Sequence, residues 1–457
     1  MKKSAVKDLT EGNPLKLIAM FSIPVFFGFL FQQFYNLIDT MIVGHYLGVN
    51  ALAGVGATGS INFLIVGFCL GICTGFAIPI AQKFGARDEK ELKRFFVNGS
   101  YTIAAFSIII TTIVVILCRW ILKIMSTPDE IMEYSYDYIR VIFLGIPATF
   151  LYNYLSCVIR ALGDSKTPLF FLVFSSLLNI GLDYLFIVTF ERGVGGAAEA
   201  TILSQAVAGL LCVVMVKLRY PILHPGKDEL NVSGRHISKL CAMGIPMGLQ
   251  YSITALGSVI LQVSVNSLGA LSIASITAAN KVSMFFSAPF DALGATIATF
   301  GGQNVGAKKL DRVGQGTRAC VEIGSVYSIC ALIILYFFGK NIIGMFVDVP
   351  TDELVTCAHR FLVTLAAFYI PLALVNILRF LIQGVGFPAF AILAGVFEMV
   401  ARMVAGILIV PKWGFTGASF ASPLAWILAD SFLIPAYFYV MKKLTKSMMS
   451  QRASIEI

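Results

Sequence analysis

The stretch LGVNALAGVGATGSI, residues 47–61, returns at an offset of 221 as LGALSIASITAANKV, residues 268–282. Two further pairs have the same offset, and two proline pairs have nearly the same one. These are AQKFGAR (81–87) with GQNVGAK (302–308), GVGGAAEAT (193–201) with GFTGASFAS (414–422), Pro24 with Pro246 and Pro147 with Pro371. Several ordered matches at one spacing indicate that the chain is an internal duplication.

The chain as a whole is far more apolar than a soluble protein. Of its 457 residues, 58% are hydrophobic and 13% are charged, whereas soluble domains carry about 25% charge. Most of its apolar segments reach the ~20 residues that span a bilayer as a helix. Twelve segments are predicted, at residues 15–43, 51–80, 95–118, 134–159, 168–190, 196–217, 238–266, 272–300, 317–338, 355–380, 388–410 and 417–441. The sequence therefore predicts an all-α polytopic membrane protein with twelve transmembrane helices.

Each half of the duplication holds six segments, and an even number lets both halves enter the membrane from the same side. This predicts parallel repeats, forming two six-helix lobes with a cavity between them, as in transporters that work by alternating access. The polar stretch at the middle contains two prolines and is predicted to be a linker. The predicted divisions are an N-lobe at 1–217, a linker at 218–237, a C-lobe at 238–441 and a tail at 442–457.

Charge and motifs exclude several classes of protein. The net charge is +9, but the lysines and arginines lie in short runs between apolar segments, which is a topology signal rather than a nucleic-acid surface. Their distribution predicts that both termini lie in the cytoplasm, and the expected location is the plasma membrane. Nine scattered cysteines indicate neither a disulfide framework nor a zinc site. No enzyme motif or nucleotide-binding fingerprint occurs, so transport is expected to depend on an ion gradient or on the substrate alone.

Acids inside the apolar segments are the main candidates for function. A charged side chain at the centre of a membrane helix costs about 2.5–3.5 kcal/mol on insertion scales, so such residues usually serve a purpose. Asp183 lies deep in segment five with Asn179 one turn before it, and Thr201 reaches a comparable depth in segment six. Asn153 adds an amide in segment four. Oxygen ligands of this kind suit a proton or Na⁺, although a hydrogen-bonded acid that joins helices is the structural alternative.

Asp39 lies near the outer end of segment one and could simply end that helix. Pro24, fifteen residues earlier, and its counterpart Pro246 are predicted hinges, since a proline kinks a helix; a static kink is the alternative. The remaining intramembrane acids are open to other interpretations. Glu199 is a further first-half acid, Asp291 could face the cavity or pair with Lys281, Glu398 and Arg402 form an i,i+4 ion pair, and Asp430 is structural or interfacial.

Taken together, these motifs resemble the multidrug and toxic compound extrusion (MATE) family of secondary transporters. The resemblance rests on NLIDTMIVGHYLGVNALAGVGAT (36–58), QKFGARDEKELKR (82–94), RALGDSKTP (160–168), NIGLDYLFI (179–187) and the repeated motifs above. It implies cation-coupled export of organic cations and amphipathic drugs, with no cofactor besides the coupling ion, H⁺ or Na⁺. The family's first-lobe cation site maps onto Asp39, Asn179, Asp183 and Thr201, and Asn153, Gln250 and Asp291 are candidates to line the substrate cavity.

The sequence also departs from part of that family. The sodium-coupled branch uses acids in segments seven and ten, but segment seven offers only Gln250 and Gln262 and segment ten has no acid. The chain is more similar to the DinF-like branch, which includes MepA-like pumps. Two other functions stay open: a flippase for lipid-linked oligosaccharides or lipid II, and a non-transporting receptor or scaffold. The expected partners are small molecules and membrane lipid, not nucleic acid, and a monomer suffices for this architecture.

Overall fold

The computed structural model describes residues 6–125, 127–347 and 351–453. Long helices dominate these ranges, and no strand occurs in them. In chain order the helices are α1 (Pro14–Leu47), α2 (Val49–Gly85), α3 (Glu89–Ile124), α4 (Asp129–Leu144), α5 (Ile146–Ala161), α6 (Lys166–Asp183), α7 (Gly193–Arg219), α8 (Gly234–Asn266), α9 (Ala270–Gly306), α10 (Leu310–Gly344), α11 (Asp352–Ala367), α12 (Tyr369–Gly384), α13 (Pro388–Val404) and α14 (Val410–Ala453). Two π-helical segments, Tyr184–Thr189 and Ala405–Ile409, continue α6 and α13, and Pro221–Leu223 and Lys227–Glu229 form short 3₁₀ turns.

These helices make up the twelve predicted membrane spans. Eight helices are long and apolar enough to cross a membrane on their own, and the bent pairs α4–α5 (49°) and α11–α12 (51°) add two more. Residues 388–450 are counted as one of the eight helices. Gly414, with φ 53° and ψ −132°, divides them into two spans. The remaining span is α9, which is 37 residues long and is the counterpart of α2 at the repeat offset. The prediction of twelve transmembrane helices is confirmed.

Some boundaries differ from those predicted. Segments four and ten, predicted as continuous at 134–159 and 355–380, each consist of two helices that meet at a bend, near Gly145 and Phe368. A proline follows each bend, at Pro147 and Pro371. Both lie in the first turn of the second helix, where a residue without a backbone N–H is tolerated. Helix α14 also extends to Ala453, through most of the predicted tail.

The duplication is visible in the backbone geometry as well as in the amino-acid sequence. Helices α2 and α9 both have 37 residues, and their first residues, Val49 and Ala270, are related by the offset of the sequence repeat. The two π-helical segments begin at the same offset. It also relates three pairs of residues with positive φ: Gly48 (85°) with Gly269 (87°), Arg87 (57°) with Lys308 (59°) and Gly193 (60°) with Gly414 (53°). The predicted internal duplication is therefore confirmed in the fold.

Packing divides the chain into two compact units, which are described separately. Among the described residues, unit 1 comprises 6–8 and 27–252, and unit 2 comprises 9–26 and 253–453. The divisions fall within α1 and α8, shortly after Pro24 and Pro246. The lobe boundaries at 217 and 238 stay a prediction.

Helices α2 and α8 approach closely within unit 1 because both carry glycines along the contact. A Cβ atom on Gly71 would lie 2.6 Å from Cα of Gly248, and one on Gly75 would lie 2.5 Å from Cα of Gly244. Small residues four apart are how membrane helices bring their backbones together without a hydrophobic driving force. Any larger side chain at these four positions would push the two helices apart.

Candidate functional site

Two buried acids meet inside unit 1. Asp39 comes from α1 and is 8% exposed, and Asp183 is the last residue of α6 and is fully buried. Their carboxyl groups lie within hydrogen-bonding reach of each other. No donor in the described part of the chain reaches Asp39 Oδ1 or either carboxyl oxygen of Asp183. Because two adjacent carboxylates cannot both stay ionised unshielded in a low-dielectric interior, the pair requires a proton or a cation.

Asn179 and Thr201 complete this oxygen-rich group. Asn179 lies one turn before Asp183 on α6, and its Nδ2 donates to Oγ1 of Thr201 on α7 over 3.4 Å. Asn179 Oδ1 is buried, and no donor in the described ranges reaches it. Among these three residues, Asp39, Asn179 and Asp183, four buried oxygens are therefore without a hydrogen-bond donor. Such a set suits a hard cation or a shared proton.

The backbone changes at this site. Helix α6 ends at Asp183, and the π-helical segment Tyr184–Thr189 continues it. A π-helical turn inserts an extra residue into the helix, and such turns occur mostly at functional sites. The π-helical segment begins directly after the buried Asp183 and has both exposed and buried side chains, with Tyr184 53% exposed and Ile187 3% exposed.

A small polar cavity adjoins Asn179. Its volume is about 40 Å³, and it is lined by Gln32, Tyr35, Tyr152, Asn153, Leu172, Ser175, Ser176, Asn179, Ser204 and Gln205. A polar cavity of this size exceeds what one water needs, so water or a small cation fits it. Asn153 Nδ2 donates to the carbonyl oxygen of Thr149 over 2.8 Å, and the Thr149 hydroxyl donates to Gln205 Oε1 over 2.7 Å. These bonds hold the polar lining in place.

Two tyrosines beside the acids were not identified from the sequence. Tyr35 and Tyr138 both lie close enough to Asp39 and Asp183 to experience their charges, and Tyr35 lines the polar cavity together with Gln205. Tyr35 precedes Asp39 by four residues on α1, a spacing that places both on one helix face. That spacing was a usable signal, whereas Tyr138 comes from α4 and nothing in the local sequence connects it to Asp39.

The other predicted residues lie elsewhere. Gln250 is buried in α8, and both α1 and α8 remain helical through Pro24 and Pro246. Glu199 forms an ion pair with Arg192 near the start of α7, with Arg192 Nη1 3.0 Å from Glu199 Oε2. Asp291 is half-buried in unit 2, and the cation whose charge acts on it is Arg379; within the described ranges no ion pair joins it to Lys281.

Unit 2 contains a second group of buried charges, of a different kind. Glu398 of α13 accepts from Arg402 Nη2 over 3.4 Å, which confirms the predicted i,i+4 ion pair, and it also accepts from Nη2 of Arg379 on α12. All three are at most 8% exposed. Asp430 of α14 lies within the field of Arg379 and Glu398 and is also buried. Arg379 was missed because it lies on a different helix from Glu398, too far along the chain for a spacing rule to connect them.

Comparison with known proteins agrees with this architecture. The sequence model of the MatE family matches the chain twice, at residues 24–185 and 246–408, once in each half. "Probable multidrug resistance protein YpnP" of Bacillus subtilis (strain 168) is 32% identical over 365 residues, which cover 79% of this chain and 80% of that protein. "Multidrug export protein MepA" of Staphylococcus haemolyticus is 22% identical over 389 residues, covering 85% and 82%.

Solved structures share the whole fold. One, described as the outward-facing conformation of a multidrug resistance MATE family transporter of the MOP superfamily, has a TM-score of 0.89 at 22% identity and covers 96% of this chain and 98% of its own. A MOP superfamily transporter from Pyrococcus furiosus has a TM-score of 0.88 at 21% identity, with 97% and 98% covered. With a family match in each half, a relative at 32% identity and this common architecture, the chain belongs to the MatE (MATE) family and is a membrane transporter, not an enzyme.

Proposed function

We propose that this transporter exports organic cations and amphipathic drugs in exchange for H⁺ or Na⁺, by alternating access, and that Asp39 and Asp183 bind the coupling ion. One observation carries the proposal: the buried acids Asp39 and Asp183 lie beside each other, and three of their oxygens have no hydrogen-bond donor in the described part of the chain. The names of the relatives, which describe multidrug resistance and export, support the substrate class. We also propose that the transporter is a monomer in the plasma membrane, with both of its termini in the cytoplasm.

The ion would act by changing the charge of the pair. With H⁺ or Na⁺ bound, the site is shielded and α1, α6 and α7 can hold together around it. When the ion leaves, Asp39 and Asp183 repel each other across a low-dielectric gap. Asp39 is connected to Pro24 by the same helix, and the division between the two compact units falls between these residues. A change at Asp39 can therefore move α1 about a hinge at Pro24.

The test uses proteoliposomes preloaded with a fluorescent lipophilic cation. A proton gradient and then a sodium gradient are imposed on wild type, Asp39→Asn and Asp183→Asn, and the movement of the cation is followed. We expect gradient-driven movement in wild type and its loss in both variants, since Asn keeps the shape of Asp but cannot carry the charge. Glu199→Gln is the matched control, because Glu199 is an acid of the same unit that already has a partner in Arg192.

The two gradients distinguish the coupling ions. Movement with the proton gradient alone assigns H⁺, and movement with the sodium gradient alone assigns Na⁺. Full efflux in both variants would refute coupling at Asp39 and Asp183. If neither gradient moves the cation in wild type, the assay should be repeated with a fluorescent lipid-linked oligosaccharide, whose movement would replace drug export by the flippase function.

A further inference from the structure

A large apolar groove lies in unit 1, away from the acid pair. It has a volume of about 500 Å³, within the range of ligand pockets. Helices α3, α5 and α7 form its walls, and the beginning of the linker closes one end. The apolar part of the lining comes from residues such as Ile103, Ala104, Leu151, Leu155 and Val213. Because these helices cross the bilayer, the groove lies at the depth of lipid acyl chains.

The walls of the groove are firmly held together. The Tyr154 hydroxyl of α5 donates to the carbonyl oxygen of Phe96 on α3 over 2.8 Å, and the two rings stack with centroids 6.2 Å apart. Gly99 permits this approach, because a Cβ atom there would overlap Tyr154 Oη. The groove is therefore fixed by specific contacts between α3 and α5.

The closed end is equally well fixed. Tyr220, which follows α7, is buried and donates its hydroxyl to Asp164 Oδ2 over 2.6 Å. Leu223 is fully buried, and His224 Nε2 lies 3.2 Å from the carbonyl oxygen of Val216. In the second half, α14 continues as a helix to Ala453 past the positions equivalent to this turn. The end wall thus belongs to the first half of the duplication.

Lys217 supplies the charge at the closed end. Lys217 and His224 both line the groove and are both exposed, and none of the lining residues is an acid. Basic groups between membrane helices at the level of the headgroups attract anionic lipids. A lipophilic cation, in contrast, would meet Lys217 and be repelled by it.

We propose that this groove binds one phospholipid with an anionic headgroup, taken from the leaflet on the linker side. An acyl chain lies along the apolar walls of α3, α5 and α7, and the phosphate lies beside Lys217 and His224. In the proposed topology that leaflet is the cytoplasmic one. The lipid is a bound component of the transporter, separate from the coupling site and from any exported compound.

The first arm of the test fills the groove. Ala104 lines it and is exposed, and the adjacent Ala105 is also exposed but does not line it. Purified protein in detergent is titrated with phosphatidylglycerol and with phosphatidylcholine, and bound lipid is counted by native mass spectrometry. We expect Ala104→Trp to weaken phosphatidylglycerol binding about tenfold, whereas Ala105→Trp binds it like wild type. Equal binding by the two tryptophan variants would overturn the proposal.

The second arm tests the headgroup contact and does not depend on filling the groove. Lys217→Gln should reduce the preference for phosphatidylglycerol over phosphatidylcholine about fivefold, since one basic group near a membrane surface contributes about 1 kcal/mol. Lys446→Gln, an exposed lysine of α14, is the control and keeps the preference. An unchanged preference in Lys217→Gln would overturn the headgroup assignment, and displacement of phosphatidylglycerol by a lipophilic cation would overturn the lipid as occupant.

Discussion

The two halves of this transporter share a backbone but not a chemistry. The π-helical segment after Asp183 has a counterpart at the repeat offset, after Val404. Two of the polar residues beside it have apolar counterparts, since Asn179 corresponds to Val400 and Asp183 to Val404, whereas Thr201 corresponds to Ser422 and its hydroxyl is kept. The duplication has therefore kept the local distortion of the helix in both halves, while the acid that the distortion positions is present in only the first.

The buried charges of the second half are equally unrepeated. At the same offset, Glu398 corresponds to Leu177, Arg402 to Gly181 and Asp430 to Gly209. Each half thus has its own buried polar group on a common scaffold. The two groups differ in their partners: Glu398 accepts hydrogen bonds from two arginines, whereas no donor in the described residues reaches Asp39 Oδ1 or the carboxyl oxygens of Asp183.

This difference predicts two roles: the Glu398 group stabilises the fold, and the Asp39–Asp183 pair exchanges an ion. A buried carboxylate between two guanidinium groups already has its counterions, so releasing or binding a further ion gains it little. A pair of carboxylates without donors is completed only by something that enters from outside. Mutations that remove one acid from each group should consequently have opposite effects, and the following predictions are ordered by the size of the effect expected.

The largest effect is expected for Glu398→Gln. The change leaves Arg379 and Arg402 buried without their common counterion, and breaking a buried pair from one side typically lowers the free energy of unfolding by about 3–5 kcal/mol. Thermal unfolding in detergent measures it. Glu322→Gln is the control, because its partner Arg318 is 83% exposed, and exposed pairs contribute about 0–1 kcal/mol. Equal losses in the two variants would show that the Glu398 cluster is not structural.

Asp183→Asn is expected to change stability in the other direction. The amide removes one of two facing negative charges, and its nitrogen can donate to the unpartnered oxygen of Asp39, so we expect a gain of about 1–3 kcal/mol. The gain should grow at alkaline pH, where the wild-type acids repel most strongly. Unfolding midpoints in sodium-free buffer at neutral and alkaline pH measure it. A loss of stability comparable with that of Glu398→Gln would show that the Asp183 carboxylate is a structural partner.

Much of this comparison could be anticipated from the sequence, and the reasons are physical. Membrane helices show in hydropathy because the bilayer leaves the backbone no partner outside the helix. Duplication shows as repeated letters at one offset. Asp39 and Asp183 stood out because charged groups are costly inside the membrane, and the resemblance to the MATE family grouped them with Asn179 and Thr201. The structure brings Asp39 to Asp183, and Asn179 to Thr201, inside one compact unit.

Other features depend on contacts that no local pattern reports. Hydropathy reports how apolar a segment is and not the direction of its helix axis. The bends near Gly145 and Phe368 were therefore not predicted, because both lie within continuous apolar segments. It also marks where the membrane ends rather than where a helix ends, which is why α14 extends to Ala453 through predicted tail. Arg379 and Tyr138 reach their acids from other helices, and only the tertiary packing brings them there.

A smaller effect is expected for Thr201→Val, which keeps the shape of the side chain and removes its oxygen. Asn179 Nδ2 then loses its acceptor, and the orientation of Asn179 Oδ1 is no longer fixed. One such hydrogen bond contributes about 1 kcal/mol, so the ion concentration for half-maximal efflux should rise about fivefold with the maximal rate retained. Ser422→Ala, at the repeat-equivalent position, is the matched control. An unchanged ion dependence in Thr201→Val would remove Thr201 from the site.

The smallest effect is expected for Glu199→Gln, two residues before Thr201. Two residues correspond to about 200° around a helix, so the side chains of Glu199 and Thr201 point to opposite faces of α7. Glu199 is paired with Arg192 and its side chain is 32% exposed, so its loss should change stability by about 0–1 kcal/mol and leave gradient-driven efflux at the wild-type level. Efflux in proteoliposomes measures this directly. Loss of efflux would mean that the first half has a third functional acid. It would also mean that an acid in an ion pair with an arginine can take part in ion exchange.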